Sequence, residues 1–258
     1  MTPVALTIAG SDPSGGAGLQ ADLKTFHRFG VYGEAVATLI TVQNTRGVTR
    51  VDPLPPDLVI AQIRAVIEDI PPHATKTGAL GSRHVVEAVA NEARRFTFPL
   101  VVDPVMISTH GPRLLDEDAS HALVEHLIPR AFLLTPNLDE AAALSGFSVH
   151  DRPSMARAAE KLASLGAVNV LVKGGHLKGD ALDLLYLHGG EIREFTAPRI
   201  DTRHTHGSGC TYSAAITAEL AKGTPLPDAV ARAKAFITEA IRTAPGLGAG
   251  NGPLNHHA

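Results

Sequence analysis

The chain has 258 residues, 44% of them hydrophobic and 19% charged, with a net charge of -3. That balance supports a sizeable core, excludes wholesale disorder and, with no long basic run, argues against nucleic acid or an anionic membrane as partner. Its single Cys, Cys210, excludes an internal disulfide and a Cys-rich zinc site. No apolar stretch approaches the ~20 residues of a membrane helix, and the N-terminus lacks a signal-peptide pattern. A cytoplasmic protein is expected.

Val4 to Ala9 predicts a strand, followed by the Gly-rich stretch Gly10 to Gly18 and by Leu19, Leu23 and Phe26 on one helix face. Ala35 to Val42 predicts a second strand, and Val59, Ile63, Val66, Ile67 and Ile70 a second helical stripe. Ala74 to Thr77 is a short strand, Val85 to Arg95 a helix, and Leu100 to Val102 a buried strand ending at Asp103-Pro104. Asp116 to His126 reads as helix and Phe132 to Thr135 as strand. Asn137 is a good N-cap for the helix Leu138 to Leu144, with Glu140 placed to complete a capping box. Met155, Ala158, Leu162 and Leu165 form another stripe, and Val168 to Lys173 a strand closing on Gly174-Gly175. Leu182 to His188 and Glu191 to Phe195, split by Gly189-Gly190, predict a hairpin. Thr211 to Lys222 reads as helix. Thr224 is the expected cap of a last helix that begins at Pro225 and ends before a Gly-rich tail. Strand–helix alternation of this kind predicts an α/β fold: a single domain over residues 1–258, with a mostly parallel central sheet flanked by helices on both faces. Such sheets bind ligands at the carboxyl ends of their strands. The Gly-rich loop, Asp103, Asn137 and Lys173 all follow predicted strands.

Gly207, Ser208 and Gly209 stand immediately before Cys210 and an apolar helix. Small residues let backbone N–H groups turn outward together, and the positive end of the helix points at the same place, so the loop suits an anion. An ordinary Gly-containing helix start fits the same string. Gly16 to Ala21 fit a G-x-G-x-x-A dinucleotide pattern, with Glu34 near the position of a ribose-binding acid. However, Gly10 to Ser14 separate the strand from those glycines, so the tight turn the pattern needs is absent. A small-molecule cradle with Asp12 and Asp22 nearby is the preferred reading. Gln43 is a two-way hydrogen bonder suited to the edge of an amino-heterocycle, or else a surface amide. Asp103 and Glu140 are hard oxygen ligands that suit Mg²⁺, often through water, and Glu140 reads equally as a helix cap. Lys173 reaches a phosphate or merely snorkels. His204 and His206 lie two apart, and no metal is expected there.

Taken together, the motifs resemble one family. They are GSDPSGGAG with Asp22, VQNT from Val42, DPVM from Asp103, TPNLDE from Thr135, KGGH from Lys173, THGSGCT from Thr205, and the GxGxGP-like run Gly248 to Pro253. Their order is similar to that in hydroxymethylpyrimidine/phosphomethylpyrimidine kinases of thiamine biosynthesis, members of the ribokinase-like superfamily. The resemblance implies ATP-dependent phosphorylation of 4-amino-5-hydroxymethyl-2-methylpyrimidine to its monophosphate and then its diphosphate. It also implies ATP and Mg²⁺ as cofactors and a homodimer. Gln43 then matches the pyrimidine reader, Ala17, Val105 and Cys210 the pocket wall, Glu140 and Asp103 the Mg²⁺–phosphate region, and Gly207 to Cys210 the anion hole. Asp22 joins the substrate-binding set; Lys173, Asn137 and Thr211 are the expected ATP- or phosphate-binding residues. Most ribokinase-like enzymes carry Asp where Cys210 stands. A pyridoxal or pyridoxine kinase is the runner-up, and a ligand-binding protein that has lost catalysis is the reading from another class. The helix N-terminus is expected to lower the Cys210 pKa below about 8.5, so that a thiolate takes the substrate hydroxyl proton. Cys210→Ala would then slow the first phosphorylation more than the second. A neutral Cys210 that merely lines the pocket is the alternative.

Overall fold

β1 (Val4–Ser11) runs through the interior of a twisted sheet, with Leu6 and Ile8 buried in one core and Ala5 in the other. The computed structural model describes residues 2–106, 117–175 and 179–258; Asp116, the start of one expected helix, and His176 of the KGGH motif lie outside them. Among the described residues α1 (Gly18–Arg28), β2 (Tyr32–Asn44), β3 (Gly47–Pro53), α2 (Pro56–Asp69), β4 (Ala74–Thr77) and α3 (Arg83–Glu92) follow β1. Then come β5 (Leu100–Val102), α4 (Glu117–Ala122), β6 (Leu133–Leu134), α5 (Leu138–Ser145) and α6 (Arg152–Ser164). The chain ends with β7 (Asn169–Gly174), β8 (Ala181–Tyr186), β9 (Ile192–Ala197), α7 (Ser208–Ala221) and α8 (Leu226–Arg242).

The described strands form a nine-stranded sheet in the order β3-β2-β1-β4-β5-β6-β7-β8-β9. The six from β2 to β7 in that order are parallel, and β3, β8 and β9 extend the edges antiparallel. Side chains alternate between two cores, as a period of two requires. Val102, Leu134, Val170 and Val172 join one; Val101, Leu133 and Leu171 join the other. The first core is completed by α2 to α6, the second by α1, α7 and α8. α7 is buried from Thr211 through Ala221, and its Ala214, Ala215, Ala218 and Ala221 are small enough for close approach to its neighbours. A helix apolar on every side belongs inside a fold.

β3 is absent from the sequence reading. It is a half-exposed strand carrying Arg50 and Asp52, so it lacks the apolar alternation that marks a strand. Pro225 rather than Thr224 holds the N-cap of α8; the Thr224 hydroxyl donates instead to Glu219 at 2.8 Å. The Gly-rich tail is pinned: Asn251 N–H donates to Thr45 O at 2.8 Å, His206 N–H to Gly252 O at 3.2 Å, and Leu254 is buried.

Candidate active site

β1 pairs with β2 on one side and β4 on the other, so the connections leaving it diverge. A crevice opens beyond the strands' carboxyl ends at such a point. There lies a cleft of about 1430 Å³ whose walls include Asp12, Gln43, Asp103, Lys173 and Cys210. The strand order sets its layout: Gln43 ends β2, Asp103 follows β5, Lys173 sits on β7, and Asp183 on β8.

In the middle stands the start of α7. Gly207 is its N-cap, with φ +80°, and a Cβ there would overlap the Gly16 carbonyl, so no other residue fits. Ser208 N–H turns back to Thr205 O at 3.2 Å, and the helical ladder begins with Thr211 N–H to Gly207 O at 2.9 Å. The Gly209 and Cys210 amides precede that ladder, so helix geometry leaves them for a ligand. A Cβ on Gly209 would project into the same space, 3.4 Å from Lys173 Nζ and 3.8 Å from Asp103 Oδ2. Lys173 Nζ donates to Asp103 Oδ1 at 2.9 Å, and Ser213 and Thr135 hydroxyls also donate to that carboxylate. Burial opposes ionisation of Asp103, but the charges of Lys173 and Lys76 outweigh it and hold the pKa below the ordinary value.

Asn137 and Glu140 form the expected capping box at the start of α5, and both line the cleft. Asn137 Oδ1 accepts from Glu140 N–H at 2.9 Å, leaving its amide nitrogen as the end a ligand can use. Burial, helped by the Asp103 charge and opposed by Lys173, raises Glu140 to about 7. Cys210 departs from expectation: burial pushes its thiol up to about 11 against the opposing charge of Lys76, so it is neutral at pH 7. The helix N-terminus does not win because the thiol loses more by leaving water than it gains from the dipole.

At the β2 end, Ala17 and Val105 line the cleft with Gln43. Asp12 accepts from Ser14 N–H and Ser14 Oγ on one oxygen and from Ala17 N–H on the other, which shapes the Gly-rich loop. His206, read from sequence only as no metal ligand, lies 2.8 Å from Asp12 and 3.3 Å from Gln43.

Two expected residues lie elsewhere. Asp22 is fully buried beneath the cleft, paired with Lys76 at 2.7 Å and accepting from Thr7 at 2.6 Å, and does not face a substrate. Thr211 is fully buried and its hydroxyl meets His256 at 3.1 Å; it sits one position past Cys210, about 100° round the helix and turned to the tail. Lys76 was missed, although a Lys inside the four-residue strand ATKT signals a buried ion pair.

The donor set around Lys173 fits Mg²⁺ held partly by water and phosphate. Among the described residues no group of three or more His, Cys, Asp or Glu forms a cage, and the two carboxylates, Asp103 and Glu140, already accept hydrogen bonds. Mg²⁺ typically keeps several waters beside one or two carboxylates and substrate phosphates.

The family model described as phosphomethylpyrimidine kinase matches residues 12–255. The hydroxymethylpyrimidine/phosphomethylpyrimidine kinase of Rhizobium meliloti (strain 1021) is 51% identical over 99% of this chain and 97% of its own. A structure of Bacillus subtilis pyridoxal kinase with ADP superposes with a TM-score of 0.91 at 41% identity, covering 100% of this chain and 98% of the other. The phosphomethylpyrimidine kinase of Clostridium difficile 630 gives 0.82 at 44% identity, covering 92% and 99%. The chain is a kinase, and it belongs to the phosphomethylpyrimidine kinase family.

Proposed function

We propose that the protein transfers the γ-phosphoryl group of ATP to 4-amino-5-hydroxymethyl-2-methylpyrimidine, and then a second one to the resulting monophosphate. The observation that carries this reading is the placement of the Gly209 and Cys210 amides and the Lys173–Asp103 pair in the same cleft as Gln43. Gln43, Ala17 and Val105 hold the pyrimidine. ATP enters from the β7–β8 side, and Lys173 with the Asn137 amide meets its phosphates.

In the first step the substrate hydroxyl oxygen attacks the γ-phosphorus as the bond to ADP breaks. Charge gathers on the phosphoryl oxygens, where fixed amides stabilise it without reorganising. Asp103 and Glu140 would hold Mg²⁺, which neutralises phosphate charge when bound. The hydroxyl proton passes to a phosphoryl oxygen late in transfer, since Cys210 is neutral and a loose transition state asks little of a base. In the second step the nucleophile is a phosphate monoester, largely ionised at pH 7 because its second pKa is about 6. Cytoplasmic residence and a homodimer belong to the same proposal. The dimer is supported by the exposed apolar Tyr32, Ile40 and Val42 on β2, and sedimentation tests it.

An ADP-release assay with the hydroxymethylpyrimidine and with pyridoxal tests the substrate. Higher kcat/KM on the pyrimidine supports the reading; turnover of pyridoxal alone rejects it.

A further inference from the structure

Gln43, Thr41, His206 and Asp12 meet in one small network. Thr41 Oγ1 lies 2.9 Å from Ser11 O and 3.2 Å from the end of the Gln43 amide assigned as Oε1, an assignment the hydrogen-bond network reverses. The other end of the amide lies 3.3 Å from His206 Nε2, which is also 2.8 Å from Asp12 Oδ2. A threonine hydroxyl has one hydrogen, and Ser11 O, an acceptor, takes it. The amide end facing Thr41 is therefore the donor, the NH₂ group. Asp12 is held ionised: burial opposes this, but its hydrogen bonds with His206 and Ser14 prevail. His206 Nε2 therefore carries a hydrogen, which points mainly to Asp12 at 2.8 Å and is shared with the amide end beside it at 3.3 Å; that end is the carbonyl oxygen, since an NH₂ group there would set donor against donor. With the amide so placed, no hydrogen is claimed twice by Thr41 and no two donors oppose each other.

We propose that Thr41, His206 and Asp12 are positioning residues that lock the Gln43 amide in this one orientation, and that the lock selects an amino-bearing pyrimidine edge over an oxo-bearing one. The inference rests on Gln43 reading the substrate ring. Once locked, the amide keeps one hydrogen and one oxygen lone pair for the cleft. An aminopyrimidine offers a donor beside a ring-nitrogen acceptor, which complements that pair. The oxo counterpart offers an acceptor beside an N–H donor, the reverse pattern. A free amide turns over and accepts either; a locked one opposes like to like. The lock is itself rigid. Asp12 is fixed by Ser14 and Ala17, and the His206 backbone donates to Gly252 O at 3.2 Å. Gly16 lies close against the His206 ring, where a Cβ would collide.

The test compares kcat/KM for 4-amino-5-hydroxymethyl-2-methylpyrimidine and its 4-oxo counterpart in the wild type, Thr41→Val, His206→Phe and Gln43→Leu. Thr41→Val is nearly isosteric. In His206→Phe the Asp12 carboxylate keeps the Ser14 and Ala17 donors, so the loop retains its ties. A mismatched bidentate edge corresponds to roughly tenfold to hundredfold discrimination, and the wild type is expected to favour the amino substrate by at least that. In Thr41→Val and His206→Phe the ratio should fall about fivefold or more toward parity, with the oxo substrate gaining. Slowing of both substrates by one common factor, with the ratio kept, would show a merely structural role and overturn the lock. Thermal unfolding of each variant accompanies the kinetics, and if one fails to fold the other decides. Gln43→Leu separates the two levels. An unchanged ratio there shows that Gln43 does not read the ring, and the lock falls with it. A collapsed ratio there, beside intact ratios in the lock variants, refutes the lock alone.

Discussion

Lys173 Nζ lies 2.9 Å from Asp103 Oδ1 and 3.4 Å from the point where a Cβ on Gly209 would project. A cation, an anion and an empty spot at a helix N-terminus thus share one small volume. The charges come from β5 and β7, two positions apart in the sheet with β6 between them, and the helix returns from the end of the chain to meet them. Such a spot suits a group that is negative, transient and needs no covalent partner.

Gly209→Ala fills that spot. In this variant kcat should fall about 10²- to 10³-fold, the loss typical when one aimed donor is spoiled, with the pyrimidine KM little changed. Steady-state kinetics on the first step decide it, and a kcat within about threefold of wild type would remove the Gly209 amide from the chemistry.

Glu140 gives the ligand-free protein a definite pH dependence. Its carboxyl sits at about 7 in the fold against 4.5 when exposed. Between those values the folded chain holds a proton that the unfolded chain has released, so stability falls as pH rises from about 4.5 to 7. Asp103, lowered in the fold, acts in the opposite sense and below this window, losing its contribution as pH falls. Glu140→Gln should flatten the decline. Melting temperatures of the two proteins from pH 5 to 8 would run parallel if Glu140 were not the cause.

Cys210 lies half-buried in the cleft wall and should behave as a thiol held protonated. Its alkylation by iodoacetamide should keep accelerating with pH toward about 11, without a plateau near the free-thiol value of about 8.5. Cys210→Ala should then slow both phosphorylations by similar factors. A plateau by pH 9 together with selective loss of the first step would restore the thiolate base.

Asp22 supports the site without touching substrate. Asp22→Asn leaves Lys76 charged and buried, which costs about 3–5 kcal/mol when one partner of a buried pair is lost. Pairing it with Lys76→Met should recover much of that. Denaturant titrations measure both, and a raised pyrimidine KM in a variant of normal stability would return Asp22 to the substrate.

Local signals in the chain were enough for most of its local structure, but not for the half-exposed β3 or for the cap of α8. β5 falls on the expected residues as a short apolar run, and β4, ATKT, does so on its β-branched threonines. The capping box of Asn137 and Glu140 is written within four residues. Long-range facts were not legible. The Asp22–Lys76 pair spans 54 positions, and only the fold brings it under α7. Thr211 was misplaced because adjacency in sequence is not adjacency on a helix. The burial that neutralises Cys210 comes from many elements at once, while the helix dipole that would ionise it is visible in one motif.

Two successive phosphorylations are read out by mass analysis of the products formed from ATP and 4-amino-5-hydroxymethyl-2-methylpyrimidine. A species with one added phosphoryl unit should form first and be converted, on longer incubation, into a species with two. ADP release with no phosphorylated pyrimidine, or a monophosphate that never advances, would contradict it.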